Sequence, residues 1–234
     1  MTARRDEILG KVRSSLGRGR LDGAALAAVE SRLEAHRPGL VPQRGQGTAG
    51  ERVDLFIRMA EEVATKVDRV ASLEDLPDRV ARLLAAENLP AAVTVAPHPA
   101  LDSVPWDRRP TLTVRHGVPA PSDLVGLAAA HAAVAETGTL VLLSGADGPT
   151  SLNFLPETHM VLLRASDVAG AFEEVWARLR RRQDGMPLPR TVNLITGPSR
   201  SADIEQTIQR GAHGPRRLFV LLLDDLAPDE AGDG

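Results

Sequence analysis

Apolar positions along this chain switch between two periods, and the switches divide it into elements. Ile8, Leu9, Val12 and Leu16 form the i, i+4, i+8 stripe of a helix over 4–16. A second short helix runs through Leu26, Val29 and Leu33 and stops near Pro38-Gly39. Phe56, Met59, Val63, Val67 and Val70 recur at steps of three and four, which predicts a helix from about 51 to 70. Asp75 is placed to cap another, with Pro77 in its first turn and Leu76, Val80, Leu83 and Leu84 facing inward. Then the pattern changes. Residues 91–96 and 111–115 read as strands, followed by 139–143, 159–163, 191–195 and 218–223. A helix capped by Ser166 or Asp167 runs through Val168, Phe172, Val175, Trp176 and Leu179, and another is expected from about 202 to 210, stopped by Gly211. Alternating helices and buried strands predict an α/β fold: a largely parallel sheet with covering helices.

Residues 41–50 interrupt this rhythm with Gly, Pro and polar residues and no apolar period, the mark of a linker. The chain therefore divides into a helical N-terminal arm, 1–45, and an α/β domain, 50–225. The first 50 residues hold nine Lys/Arg against five Asp/Glu, whereas the whole chain carries −3. Those charges are interleaved with acids at helical spacing, so the arm reads as a solvated face suited to a protein partner, with no nucleic acid implied. The 234 residues contain no cysteine, which excludes disulfides, a cysteine nucleophile and any thiolate-held zinc or iron–sulfur cluster on these residues. The N-terminus lacks the apolar core of a signal peptide and no apolar run is long enough for a membrane span, so a cytoplasmic location is the expectation.

Four segments carry candidate chemistry. In Thr196-Gly-Pro-Ser-Arg-Ser-Ala-Asp-Ile-Glu205 a strand ends, Gly197 and Pro198 turn the chain, and Ser201 is expected to open a helix. Its free N–H groups, the Ser199 hydroxyl and the Arg200 guanidinium would suit a carboxylate or phosphate. Equally, Ser201 serves only as a cap and Arg200 pairs with Asp203 or Glu205. In Ala135-Glu-Thr-Gly-Thr139, Glu136 could act as base or nucleophile, with Thr137, Gly138 and Thr139 lining a ligand. The plainer reading is a tight turn whose threonines bond their own backbone. His159 opens a strand after Leu155-Pro-Glu-Thr, and is either a proton shuttle or a satisfied structural histidine. His213, in Gly211-Ala-His-Gly-Pro215, either caps helix carbonyls or reaches a cleft. No metal-ligand spacing, Walker loop or GxGxxG occurs, so neither a metal nor a nucleotide is expected.

Taken together and in this order, the four segments resemble the LUD-domain family over roughly 50–225. The resemblance implies a fold similar to the ribose-phosphate isomerase and CoA-transferase-like superfamily, with ligands at strand C-termini. It also implies an accessory, cluster-free role in an iron–sulfur system that oxidises L-lactate to pyruvate. Two cysteine-rich iron–sulfur proteins would be its partners, the clusters would reside on them with no cofactor on this chain, and a small carboxylate or phosphate could be its ligand. The alternatives are an autonomous CoA-transferase-like or sugar-phosphate-isomerase-like enzyme, with Glu136 as nucleophile, and a small-anion-binding regulator.

Overall fold

The computed structural model describes residues 2–17, 19, 21–182, 189–204 and 207–227. The chain separates into two units, 1–40 and 41–234. The first contains helices α1 (Thr2–Ser15) and α2 (Gly23–Ala35).

The second unit starts with a short 3-10 turn, Gln43–Gly45, and helix α3 (Ala49–Glu62). A capping box sets the start of α3: Thr48 Oγ1 accepts the Glu51 N–H at 3.3 Å, and Glu51 Oε2 accepts the Thr48 N–H at 2.7 Å. The helix buries Val53, Phe56 and Ala60. It ends eight residues before the apolar spacing does. Ala64 takes the left-handed conformation (φ 66°), and the Thr65 N–H returns to the Ala60 carbonyl at 3.0 Å. The chain then forms strand β1 (Lys66–Val70), so Val67 and Val70 belong to a sheet and not to the helix expected there.

Strand β1 lies at one edge of a six-stranded sheet with β2 (Ala92–Val95), β3 (Thr113–His116), β4 (Val125–Ala129), β7 (Thr158–Arg164) and β12 (Arg217–Leu223). The order is β1-β12-β7-β4-β2-β3, and every pair is parallel. This is the largely parallel sheet predicted. Its central strands are continuous apolar runs because both faces are covered. Met160, Val161, Leu163, Phe219, Leu221 and Leu222 are all buried, each contributing about 1.5–3 kcal/mol on transfer from water. Helices α4 (Leu76–Ala86), α5 (Pro99–Asp102) and α6 (Phe172–Arg182) are the other α-helices among the described residues.

A second sheet was not foreseen. It comprises β5 (Ala132–Val134), β6 (Thr139–Leu143), β8 (Val168–Ala169) and β9 (Val192–Ile195), in the order β8-β5-β6-β9. Strand β6 pairs antiparallel with both neighbours. Residues 165–169 are a 3-10 turn and a short strand, so α6 begins at Phe172 rather than at the expected cap near 166. The helix expected over 202–210 is instead a hairpin of β10 (Arg200–Ile204) and β11 (Thr207–Arg210), antiparallel with Ser201 opposite Gln209. Ile204 and Ile208 are four apart, a spacing that suits one helical face as well as two strands.

Candidate functional site

The end of α3 organises the site. Two glycines from separate motifs pack on it, and each has a positive φ. Gly138 (φ 64°) sits against the Met59–Ala60 backbone, where a β-carbon would overlap the Ala60 nitrogen. Gly197 (φ 76°) sits against Val63, where a β-carbon would come within 2.6 Å of the carbonyl oxygen. Both positions demand glycine twice over, for conformation and for space. The Arg200 guanidinium donates to that same Val63 carbonyl. This fixes the arginine on an orphan carbonyl at the helix end, a partner different from the Asp203 or Glu205 considered from sequence.

Below this junction lies a cleft of about 440 Å³ at the amino ends of β7 and β12 and the carboxyl end of β9, and so not at the carboxyl ends of the six-stranded sheet. Three of the four candidate segments supply polar groups to it: His159 on β7, Ser199 and Arg200 after β9, and His213 before β12. Gly197 is also in its wall, and Val63, Ile195 and Leu218 supply apolar surface. The Ser199 main chain is already committed, its N–H to the Pro215 carbonyl at 2.9 Å and its carbonyl to the Gly211 N–H at 3.0 Å. Its Oγ accepts the His213 N–H at 3.3 Å, which leaves the hydroxyl proton to donate to a ligand.

His159 is the unusual member. Its side chain is 0% exposed, and neither ring nitrogen has a hydrogen-bond partner among the described residues. Burial lowers its pKa to about 4, so the ring is neutral at pH 7 and offers one N–H and one lone pair. The satisfied structural histidine is therefore not what the structure contains. An unpaired buried imidazole costs about 1–3 kcal/mol, which a ligand in the cleft could recover.

The Ala135–Thr139 segment contributes differently. Glu136 is 5% exposed and is absent from the cleft lining. Its Oε1 accepts the N–H of Phe172, the first residue of α6, at 3.4 Å, so the carboxylate caps that helix from another element. Thr137 and Thr139 bond each other at 2.7 Å, and Thr139 bonds Thr196 at 2.7 Å. The hydroxyls thus tie β6 to the end of β9 instead of bonding their own backbone. Through Thr196, this chain of hydroxyls reaches the cleft wall.

Ser201 does not open a helix; its backbone pairs in the hairpin, so the helix N-terminus expected after the Gly197–Arg200 turn is replaced by a strand. Glu205 lies outside the described residues. Sequence reasoning missed Asn153 and Phe154, which line the cleft. Asn153 is 4% exposed, and the signal for it was an amide set among apolar residues, Leu152-Asn-Phe-Leu155. Among the described residues no cluster of His, Asp and Glu could hold a metal ion, and no helix is long and apolar enough to cross a membrane.

Residues 122–223, which include β4 through β12, match the LUD domain. An uncharacterized protein of Neisseria meningitidis serogroup B is 37% identical over 105 residues, 44% of each chain. Lactate utilization protein C of Geobacillus thermodenitrificans and that of Bacillus subtilis are each 34% identical over 102 residues, 43% of this chain and 42% of theirs. The matched segment thus spans less than half the length of these curated relatives. Among solved structures, a DUF162 family protein from Deinococcus radiodurans superposes with a TM-score of 0.57, covering 76% of this chain and 99% of that one at 23% identity. That likeness establishes a shared fold. Residues 122–223, which carry the cleft's histidine and its Gly-Pro-Ser-Arg turn, are therefore similar to the LUD domain.

Proposed function

We propose that this chain is a cluster-free component of a lactate-utilization system, and that the His159 cleft binds a short 2-hydroxy or 2-oxo carboxylate. The observation that carries the reading is the fully buried, unpaired and neutral His159 ring beside the Ser199–Arg200 turn. A neutral imidazole can accept the O–H of a 2-hydroxy acid or donate to the oxygen of a 2-oxo acid. The Ser199 hydroxyl and the Asn153 amide supply donors for the carboxylate, and Arg200 supplies positive charge. Relatives named lactate utilization protein C support the choice of substrate.

Oxidising lactate to pyruvate releases two electrons and two protons. With no cysteine in its 234 residues, this chain would pass the electrons to partners, and two cysteine-rich iron–sulfur proteins are the proposed acceptors. The enzyme with a Glu136 nucleophile is the weaker reading, because Glu136 lies outside the cleft lining and one of its carboxylate oxygens accepts the N–H at the start of α6.

The test is lactate-dependent reduction of an artificial electron acceptor in extracts of source cells lacking this chain. Adding the parent protein should restore the rate, adding His159→Leu should not, and affinity capture should bring down two cysteine-rich proteins. Full activity in the extract without the chain would reject the proposal.

A further inference from the structure

The threonine hydroxyls beside the cleft form one unbroken chain. The Oγ1 atoms of Thr137 and Thr139 are 2.7 Å apart, and those of Thr139 and Thr196 are again 2.7 Å apart, both at the favoured O–H···O length. The inner end, Thr196, is exposed in the cleft wall. The middle member, Thr139, is 1% exposed. The outer end, Thr137, is half-buried and lies outside the cleft lining, so the chain runs from the cleft through buried ground to a separate point of solvent contact. Each hydroxyl holds one proton and can receive another, which gives the chain two polarities. With its protons pointing outward, Thr196 accepts an O–H from the cleft; with them pointing inward, Thr196 donates into it. A 2-hydroxy acid presents an O–H, and the matching 2-oxo acid presents only an acceptor at the same atom. One polarity fits each.

We infer that Thr196, Thr139 and Thr137 relay the hydroxyl proton of the 2-hydroxy acid out of the cleft, an inference that rests on the carboxylate reading above. Among the described residues the lining contains no Asp or Glu to take that proton. The His159 ring can hydrogen-bond the substrate, but with burial lowering its pKa to about 4 it does not keep a proton at pH 7. In the step, the O–H bond breaks and its electron pair becomes the second bond of the ketone. The proton passes to Thr196 as Thr196 gives its own to Thr139, Thr139 to Thr137, and Thr137 to solvent. The C2–H bonding pair leaves as two electrons to the iron–sulfur acceptors, and that hydrogen departs as the second proton through the cleft mouth. The chain is left pointing inward, with Thr196 donating to the new carbonyl oxygen. Rotation of the three hydroxyls then resets it. His213, exposed at the same cleft, is the rival proton acceptor.

The experiment follows lactate-dependent dye reduction at saturating lactate in extracts lacking this chain, with calorimetric binding of L-lactate to each purified full-length protein alongside. Thr139→Val removes the middle hydroxyl and keeps the shape of the side chain. It should cut the rate restored by the parent about tenfold or more, while lactate affinity stays within about twofold. Thr139→Ser keeps the hydroxyl and should recover most of the rate. Thr137→Val, at the half-buried outer end, should repeat the loss without touching the core. Thr139→Val as active as the parent would overturn the relay and leave the carboxylate reading standing, and a loss with His213→Gln in its place would identify the rival as the acceptor. A loss of rate matched by a loss of lactate affinity, or not relieved by serine, would make the threonines a strut and overturn the relay too. No rate from the parent itself would remove both the relay and the reading beneath it.

Discussion

Replacing His159 with leucine removes a buried titrating ring and keeps an apolar side chain of comparable bulk. In the parent, burial moves the histidine pKa from 6.5 to about 4, so the unfolded chain binds a proton more readily than the folded one. The stability carried by the neutral ring is fully present above pH 6.5 and is lost as the pH falls towards 4. That loss amounts to about 3 kcal/mol. At pH 7 the leucine variant should be at least as stable as the parent, by up to about 2 kcal/mol, because an unpaired buried donor and acceptor are gone. Urea unfolding of both proteins at several pH values between 7.5 and 4.5 reads the difference. Other groups titrate in this window, notably Asp167, whose pKa burial raises and whose effect has the opposite sign. They are common to both proteins and cancel in the comparison. The gap should widen steadily in favour of the variant as the pH falls. A gap independent of pH would show that His159 is not held neutral by burial, and the argument for its role would fall with it.

Gly138→Ala and Gly197→Ala should each cost about 2–4 kcal/mol in urea unfolding, from left-handed strain plus overpacking against α3, and a cost below about 0.5 kcal/mol would refute the close approach. Glu136→Ala should destabilise by about 1 kcal/mol, measured by the same method, and Glu136→Gln by less, because the amide oxygen still caps α6. Deleting residues 1–40 should leave a cooperative melt, whereas deleting through 48 should lower the melting temperature by several degrees more. The longer deletion removes buried Gly45 and the Thr48 half of the capping box.

The strands of the central sheet were legible because burial on both faces writes them as unbroken apolar runs: 159–163 and 218–223 lie within β7 and β12, and 139–143 coincides with β6. Strand β1 was not. Val63, Val67 and Val70 continue the helical spacing of α3, and what ends the helix is a left-handed alanine, a residue that gives no stop signal. Strands β4 and β5 were missed because they are rich in alanine, which carries little strand preference. The second sheet followed from pairings that no periodicity encodes. At the site, the sequence identified the residues but not their duties. His159, Ser199, Arg200 and His213 meet in one cleft, yet Glu136 is a helix cap and Ser201 is a hairpin residue. The duties of Glu136 and Arg200 depend on contacts across more than thirty residues, with Phe172 and Val63 respectively, whereas that of Ser201 rests on local pairing with Gln209.

The most direct test of the carboxylate cleft is calorimetric titration of L-lactate and pyruvate into the parent and into His159→Leu. Neither variant nor parent needs the partner proteins for this measurement. Saturable binding to the parent, weakened by about tenfold to a hundredfold in the leucine variant, is the result expected for losing one well-placed hydrogen bond to a charged ligand. Equal affinity in the two proteins, or no binding of either acid to the parent, would contradict the account.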